Sequence, residues 1–141
     1  MASVRTEISI TAPVEAVWDV VRDFGSGPRR MAPGYVTDSR RADAQTRLVT
    51  FANGTVARER LVAVDDEQRR VVYAIVGDTL RPDHDNAAMQ VLPDGEGRCR
   101  FVWIHDVLPD DLAAPLHAAM QEASVVIKRT LETQAETQAA R

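Results

Sequence analysis

The chain has 141 residues, enough for one domain that buries its own core without disulfide staples. Its composition, 45% hydrophobic and 27% charged, is that of an ordinary globular protein. The net charge of −4, with basic residues scattered in pairs such as Arg29–Arg30, Arg40–Arg41 and Arg69–Arg70, excludes the concentrated basic face that nucleic acid requires. No apolar run approaches the roughly 18 residues of a membrane span, and the N-terminus lacks a signal peptide's apolar segment, so a cytoplasmic protein is expected. The lone cysteine, Cys99, excludes an internal disulfide and a multi-cysteine metal site, and its strand-like neighbours predict a buried, inert thiol.

In chain order, Val4 to Ile10 alternates apolar and polar residues, the mark of a half-buried strand. Pro13 stands where a helix begins, with Glu15 in its first turn, and Val14, Val17, Trp18, Val21 and Phe24 recur at helical spacing. Gly25, Gly27 and Pro28 break that helix, and residues 29–33 are irregular or form a brief second one. Strands then follow one another: a weak one over 34–41, a clearer one over 47–51, then 55–64, 70–76, 84–92 and 98–108. Asn53–Gly54 predicts a two-residue type I′ hairpin turn. A turn at 65–67, a loop over 77–83 and a turn at 93–97 separate the others.

Pro109 and Asp110 end the sheet and open one long helix, with Asp110 or Asp111 as its N-cap. Leu112, Leu116, Met120, Ala123, Ile127 and Leu131 step by four and three along one stripe, opposite Asp111, Glu122, Arg129 and Glu132. Residues beyond about 134 are polar and expected to fray. The order is α+β: a strand, one or two short helices, six more antiparallel strands, and a long helix that must bury its stripe against the sheet. A bent sheet closing on one helix leaves a hollow between them.

These elements carry a resemblance. Ile10-Thr11-Ala12-Pro13 with Val17-Trp18 ahead of Arg22-Asp23-Phe24, then Glu59-Arg60-Leu61 with Asp65-Asp66, Tyr73-Ala74-Ile75, the segment from Trp103 to Pro109 and the final helix together resemble the START-like (SRPBCC) superfamily, and within it the polyketide cyclase/dehydrase group. The similarity runs over about residues 3–133. It implies a helix-grip fold, a curved sheet of about seven strands wrapped around the long C-terminal helix. Two departures imply a more polar hollow than usual: Met31 stands where many members have tryptophan, and Asp85 where many have an aromatic residue. The metal triad of the superfamily's oxygenase branch has no counterpart here.

Strand parity tests which side chains face inward without reference to the family. Over 55–64, Ala57, Leu61 and Ala63 share a face that also holds Glu59, while Arg58 and Arg60 take the other. Over 98–108, Phe101, Trp103, His105 and Val107 fall together, opposite Arg98, Arg100 and Asp106. Over 84–92, Ala87, Met89 and Val91 form one face that Asp85 continues. Parity leaves Tyr73 unplaced; the resemblance turns it inward beside Ile75. On the helix, His117 and Ser124 lie about 70–90° from the stripe's centre, at its edges.

Glu59, Asp85 and His105 are therefore the candidate catalytic groups. Tyr73, Ala87, Met89, Phe101, Trp103, Leu116, His117, Met120 and Ser124 are the candidate ligand-binding residues. Each has a plainer reading: Glu59 as a structural carboxylate paired with an arginine near the Arg81 loop, Asp85 as a surface group, His105 as a satisfied core histidine, His117 as a helix-edge residue. In an extended chain His84 points away from Asp83 and Asp85, so that trio is not expected to hold a metal. No cofactor is expected.

The implied function is binding of a small hydrophobic or polyketide-like molecule. As an enzyme, the protein would close or dehydrate a polycarbonyl chain without metal, with His105 as base, a desolvated Glu59 or Asp85 as proton donor and Tyr73 on a carbonyl oxygen. Two readings stand against it: a non-catalytic carrier or sensor gated by the loops at 51–55 and 77–83, and an interaction module whose hollow is filled by Met89, Met120 and Trp103. The exposed strand edges leave room for a homodimer.

Overall fold

The structure, a computed structural model, describes residues 2–140. Seven strands run β1 (Ala2–Ile10), β2 (Val36–Arg41), β3 (Thr46–Phe51), β4 (Val56–Asp65), β5 (Arg70–Asp78), β6 (His84–Pro93) and β7 (Cys99–Leu108). Two short helices, α1 (Val14–Val21) and α2 (Gly27–Met31), follow β1, and the long α3 (Ala113–Ala139) closes the chain. The strands form one antiparallel sheet in the order β1-β7-β6-β5-β4-β3-β2. This is the curved sheet around a long helix that the sequence predicts.

Local chemistry accounts for each element. In β1, Thr6 and Ile10 are buried and turn toward α3, while Ser3, Arg5 and Glu7 are exposed. Helix α1 buries Val17, Trp18, Val20 and Val21 on one side. Its far end is tied to the β4–β5 tip, because Asp66 accepts from Trp18 Nε1 at 3.0 Å and from Arg22 Nε at 2.8 Å. Helix α1 ends before the glycines, as expected, and the brief second helix, α2, begins at Gly27 with Pro28 at its start. A Cβ on Gly27 would sit 2.8 Å from the Val20 carbonyl oxygen, which only glycine avoids.

Four local expectations are corrected. Asn53–Gly54 does not form a type I′ turn: Gly54 alone has positive φ (+90°), and the hydrogen bonds Gly54 N–H to Phe51 O and Phe51 N–H to Thr55 O enclose a three-residue loop. Asn53 Oδ1 accepts from Thr55 N–H instead, so the asparagine buttresses the loop from its side chain. Second, Ala63 is exposed, because β4 slips register against β5 between Leu61 and Ala63 and the extra residue reverses the parity. Third, the long helix is entered through a 3₁₀ turn, Asp110–Leu112, and neither Asp110 nor Asp111 caps it; Leu112 occupies the cap position with no side-chain bond and is only half-buried. Fourth, α3 continues to Ala139, past the point where fraying was expected.

The stripe of α3 is buried at Met120, Ala123, Ile127 and Leu131, and half-buried at Leu116. Each larger member stabilises the fold by roughly 1.5–3 kcal/mol on the transfer scale. Polar ties fix the helix on β1: Lys128 Nζ donates to the Ser9 carbonyl, and Thr11 N–H to Glu132 Oε2 at 2.8 Å. Below α3, the core gathers Ile10, Phe24, Met31, Val49, Tyr73, Met89 and Phe101. Cys99 belongs to it, and burial pushes its thiol up to about 11, which keeps it protonated and inert at neutral pH.

Candidate functional site

Strand alternation brings the chemistry to one place. On β7, Phe101, Trp103 and His105 point to the concave face, and the register sets Met89 opposite Trp103 and Ala87 opposite both His105 and Tyr73. The β5–β6 ladder ends at the Tyr73–Ala87 pair. Past it, the Asp85 side chain takes the place of a backbone partner, its Oδ2 accepting from Ile75 N–H at 2.8 Å. The other oxygen, Oδ1, lies 2.7 Å from His105 Nδ1. Both residues are buried, so each satisfies the other, as burial of polar groups demands.

The chain of contacts continues. In a neutral imidazole, donation from Nδ1 to the Asp85 carboxylate makes His105 Nε2 the acceptor, 3.5 Å from the Tyr73 hydroxyl. Trp103 Nε1–H donates to the same hydroxyl oxygen at 3.1 Å. The Tyr73 and His105 rings meet edge-on with centroids 5.8 Å apart, which fixes the imidazole plane. Asp85, His105, Tyr73 and Trp103 thus form one hydrogen-bonded line inside the sheet's concavity.

Beside it lies a buried ion pair that sequence reasoning missed. Arg47 Nε donates to Glu59 Oε1 at 2.7 Å, and Arg47 Nη1 to the Phe24 carbonyl at 3.0 Å. The guanidinium stacks 4.3 Å from the Phe24 ring centroid and 4.8 Å from that of Tyr73. The partner of Glu59 is therefore Arg47 and not an arginine near Arg81, which bonds the Asp78 carbonyl. Parity held the signal: Arg47 alternates in phase with Val49 and Phe51, but an arginine opening a strand reads by default as solvent-facing.

Tyr73 joins the two groups. Burial, and secondarily the nearby Glu59 charge, push its hydroxyl well above the usual tyrosine range, with Arg47 pulling the other way. It is a proton donor across the physiological range. An unfolded chain would ionise this phenol near pH 10 while the folded one does not, so the unfolded state binds fewer protons there and stability falls as pH rises above that point. Tyr73→Phe is expected to shallow this alkaline loss, measured by urea unfolding between about pH 9 and 11; an unchanged slope would contradict the assignment.

A chamber of about 170 Å³ lies between the sheet and α3. Ala57, Glu59, Tyr73, Trp103 and His105 line its sheet side, and Leu116, Ala119, Met120 and Ala123 its helix side. Asn53, Thr55 and Leu80 stand at its rim. A second chamber of about 50 Å³ adjoins it on the side of Arg47, Met31 and Met89, sharing Tyr35, Phe51, Glu59, Tyr73, Trp103 and Ala123 as wall.

The other predicted site residues lie elsewhere. Asp85 sits behind His105 and lines neither chamber, and Ala87 and Phe101 are core residues without access to them. His117 and Ser124 face a separate open groove of about 660 Å³ between β1 and α3, where Ser124 Oγ reaches Thr6 Oγ1 at 3.4 Å. An angle on a helical wheel cannot tell the two edges of a stripe apart; packing on β1 turned this edge away from the inner chamber. That groove is the larger depression, but it holds no buried ionisable cluster, so the inner chamber is the better candidate. Among the described residues, no three His, Cys, Asp or Glu side chains converge as metal ligands, and no helix is long and apolar enough to cross a membrane.

A curved seven-stranded antiparallel sheet gripping a long C-terminal helix is the START-like, helix-grip fold. An uncharacterised protein from Bacillus thuringiensis superposes with a TM-score of 0.81 at 20% identity, over 92% of this chain and 98% of its own. The Zhui aromatase/cyclase from Streptomyces sp. R1128 does so at 0.77 and 16% identity, over 98% and 95%. A START superfamily protein from Mycobacterium smegmatis gives 0.69 and 15%, over 96% and 98%. None of the curated proteins matches the sequence. The chain belongs to the polyketide cyclase/dehydrase and lipid transport family, whose pattern matches residues 1–137.

Proposed function

We propose that this protein is an acid–base catalyst of the cyclase/dehydratase kind, acting on a small hydrophobic carbonyl compound held in the inner chamber. The observation that carries the reading is the buried Asp85–His105–Tyr73 line, which ends at the chamber wall. Desolvating a carboxylate and an imidazole together is costly, and a container has no need of it. The solved aromatase/cyclase of the same fold makes the reaction class a natural one for this scaffold.

The geometry suits proton transfer at carbon. A substrate carbonyl takes the Tyr73 hydrogen bond in place of the long contact to His105, which frees Nε2 as base. Nε2 then removes a proton from the carbon beside that carbonyl, and the C–H electron pair passes into an enolate whose oxygen Tyr73 holds. Asp85, accepting from Nδ1, stabilises the imidazolium. The enolate carbon attacks a second carbonyl carbon of the same molecule, forming the C–C bond, and the imidazolium returns its proton to the new alkoxide. Loss of that hydroxyl as water, with a second proton taken from carbon, gives the dehydrated ring. Orientation by the chamber walls supplies the remainder of the acceleration.

The runner-up is a carrier or sensor in which the same groups only orient a guest, a reading supported by lipid transport in the family's description. His105→Ala separates the two. The catalyst reading expects turnover of a polycarbonyl substrate to fall by about 10²–10⁴ while ligand affinity changes only a few-fold; loss of binding with no turnover to lose would establish the carrier. A cytoplasmic setting and pairing of two copies through sheet edges remain expectations from the sequence.

A further inference from the structure

The reading of the inner chamber as a ligand site leads to a statement about the size and polarity of its guest. We infer that the ligand is an uncharged one-ring compound, with a hydroxyl that donates to Glu59 at one end and a carbonyl that accepts from Tyr73 at the other.

Volume sets the size. An apolar protein cavity of about 150 Å³ holds one benzene molecule. The main chamber, at about 170 Å³, is of that order, and the adjoining one adds about 50 Å³. Together they fall short of the roughly 300 Å³ at which drug-sized ligand sites begin. A single ring with short substituents fits this space, whereas two fused rings exceed it.

The walls that set this limit are anchored. Tyr35 and Phe51 pack edge-to-face with centroids 5.8 Å apart. The Tyr35 hydroxyl donates to the Ala119 carbonyl of α3 at 3.2 Å, which pins the aromatic pair against the helix. Trp103 is held from the other side by its bond to Tyr73.

Polarity sets the substituents. Glu59 Oε1 is taken by Arg47, while among the described residues no hydrogen bond reaches Oε2, and the carboxylate borders both chambers. A nearly buried carboxylate oxygen in that position favours a guest that donates a proton to it and disfavours an anionic guest. At the other end the Tyr73 oxygen already accepts from Trp103, and its own proton has only the 3.5 Å contact to His105 Nε2. It is therefore available to an acceptor, and the trade improves a weak bond. The Trp103 indole and the Tyr73 ring, in the same wall, supply the aromatic surface for the guest's ring.

The test is calorimetric titration of the full chain with three probes: 4-hydroxyacetophenone, acetophenone, and the two-ring 6-acetyl-2-naphthol. The first is expected to bind, the second about tenfold or more weakly because Glu59 loses its donor, and the third not measurably. Phe51→Ala, which opens the wall without touching the polar groups, is expected to admit the naphthol. Wild-type protein that binds the naphthol as well as the one-ring probe overturns the size limit, and equal binding of the first two overturns the role of Glu59; either leaves the chamber a ligand site. Failure of all three to bind wild-type protein and Phe51→Ala alike overturns the inference together with the ligand-site reading beneath it.

Discussion

Arg47→Met should lower the free energy of unfolding by about 3–5 kcal/mol, the range for stripping one partner from a buried ion pair. Arg47 and Glu59 are almost wholly shielded from bulk water, with side chains 2% and 7% exposed, so their contact is poorly replaced by solvent. The substitution keeps most of the volume stacked between Phe24 and Tyr73 but leaves the Glu59 carboxylate and the Phe24 carbonyl without the donors they now have. The double variant Arg47→Met/Glu59→Leu removes the stranded charge and should recover most of the loss, since well-packed apolar replacements of buried pairs are often neutral. Urea denaturation of wild type and both variants at constant m-value measures this. A single-variant change under about 1 kcal/mol would mean that the pair is wetter than its geometry implies.

Asp85→Asn is the variant expected to do most harm to catalysis with least harm to shape. The amide oxygen can still accept from Ile75 N–H, so the end of the β5–β6 ladder keeps its support. The amide nitrogen then faces His105 Nδ1 as a donor, and the imidazole must move its proton to Nε2. That places a hydrogen where the proposed base needs a lone pair. A fall of about 10²–10⁴ in kcat/KM is expected, with unfolding free energy and ligand affinity close to wild type. Because Asp85 acts through His105, the pH profile is the sharper readout: the limb due to the base should move or vanish. A variant with full activity and an unshifted profile would remove Asp85 from the mechanism.

Much of this arrangement was legible from alternation alone. Two-residue periodicity put Glu59 with Ala57, His105 with Trp103 and Asp85 with Ala87, and their side chains do turn to the concave face. What alternation could not deliver was pairing. Nothing along the chain says that Arg47 meets Glu59, because they share a site only after β3 and β4 come into register. Alternation also breaks where a strand takes an extra residue, as β4 does before Ala63, which parity alone turns inward. For His117 and Ser124 the limit was different: helical spacing gives an angle about the axis, and only the position of β1 decides which edge looks into the hollow and which toward the groove beside β1.

The sheet runs as a meander from β2 to β7, each strand beside its predecessor, with one exception: β1 lies against β7, so Ala2 faces Val107 and Ile10 faces Cys99. During synthesis β1 must therefore wait, unpaired, until β7 has left the ribosome. Closing so long a loop is entropically slow, which puts the seam between first and last strands among the late events of folding. The final helix, clasped to that same strand, acts as the latch.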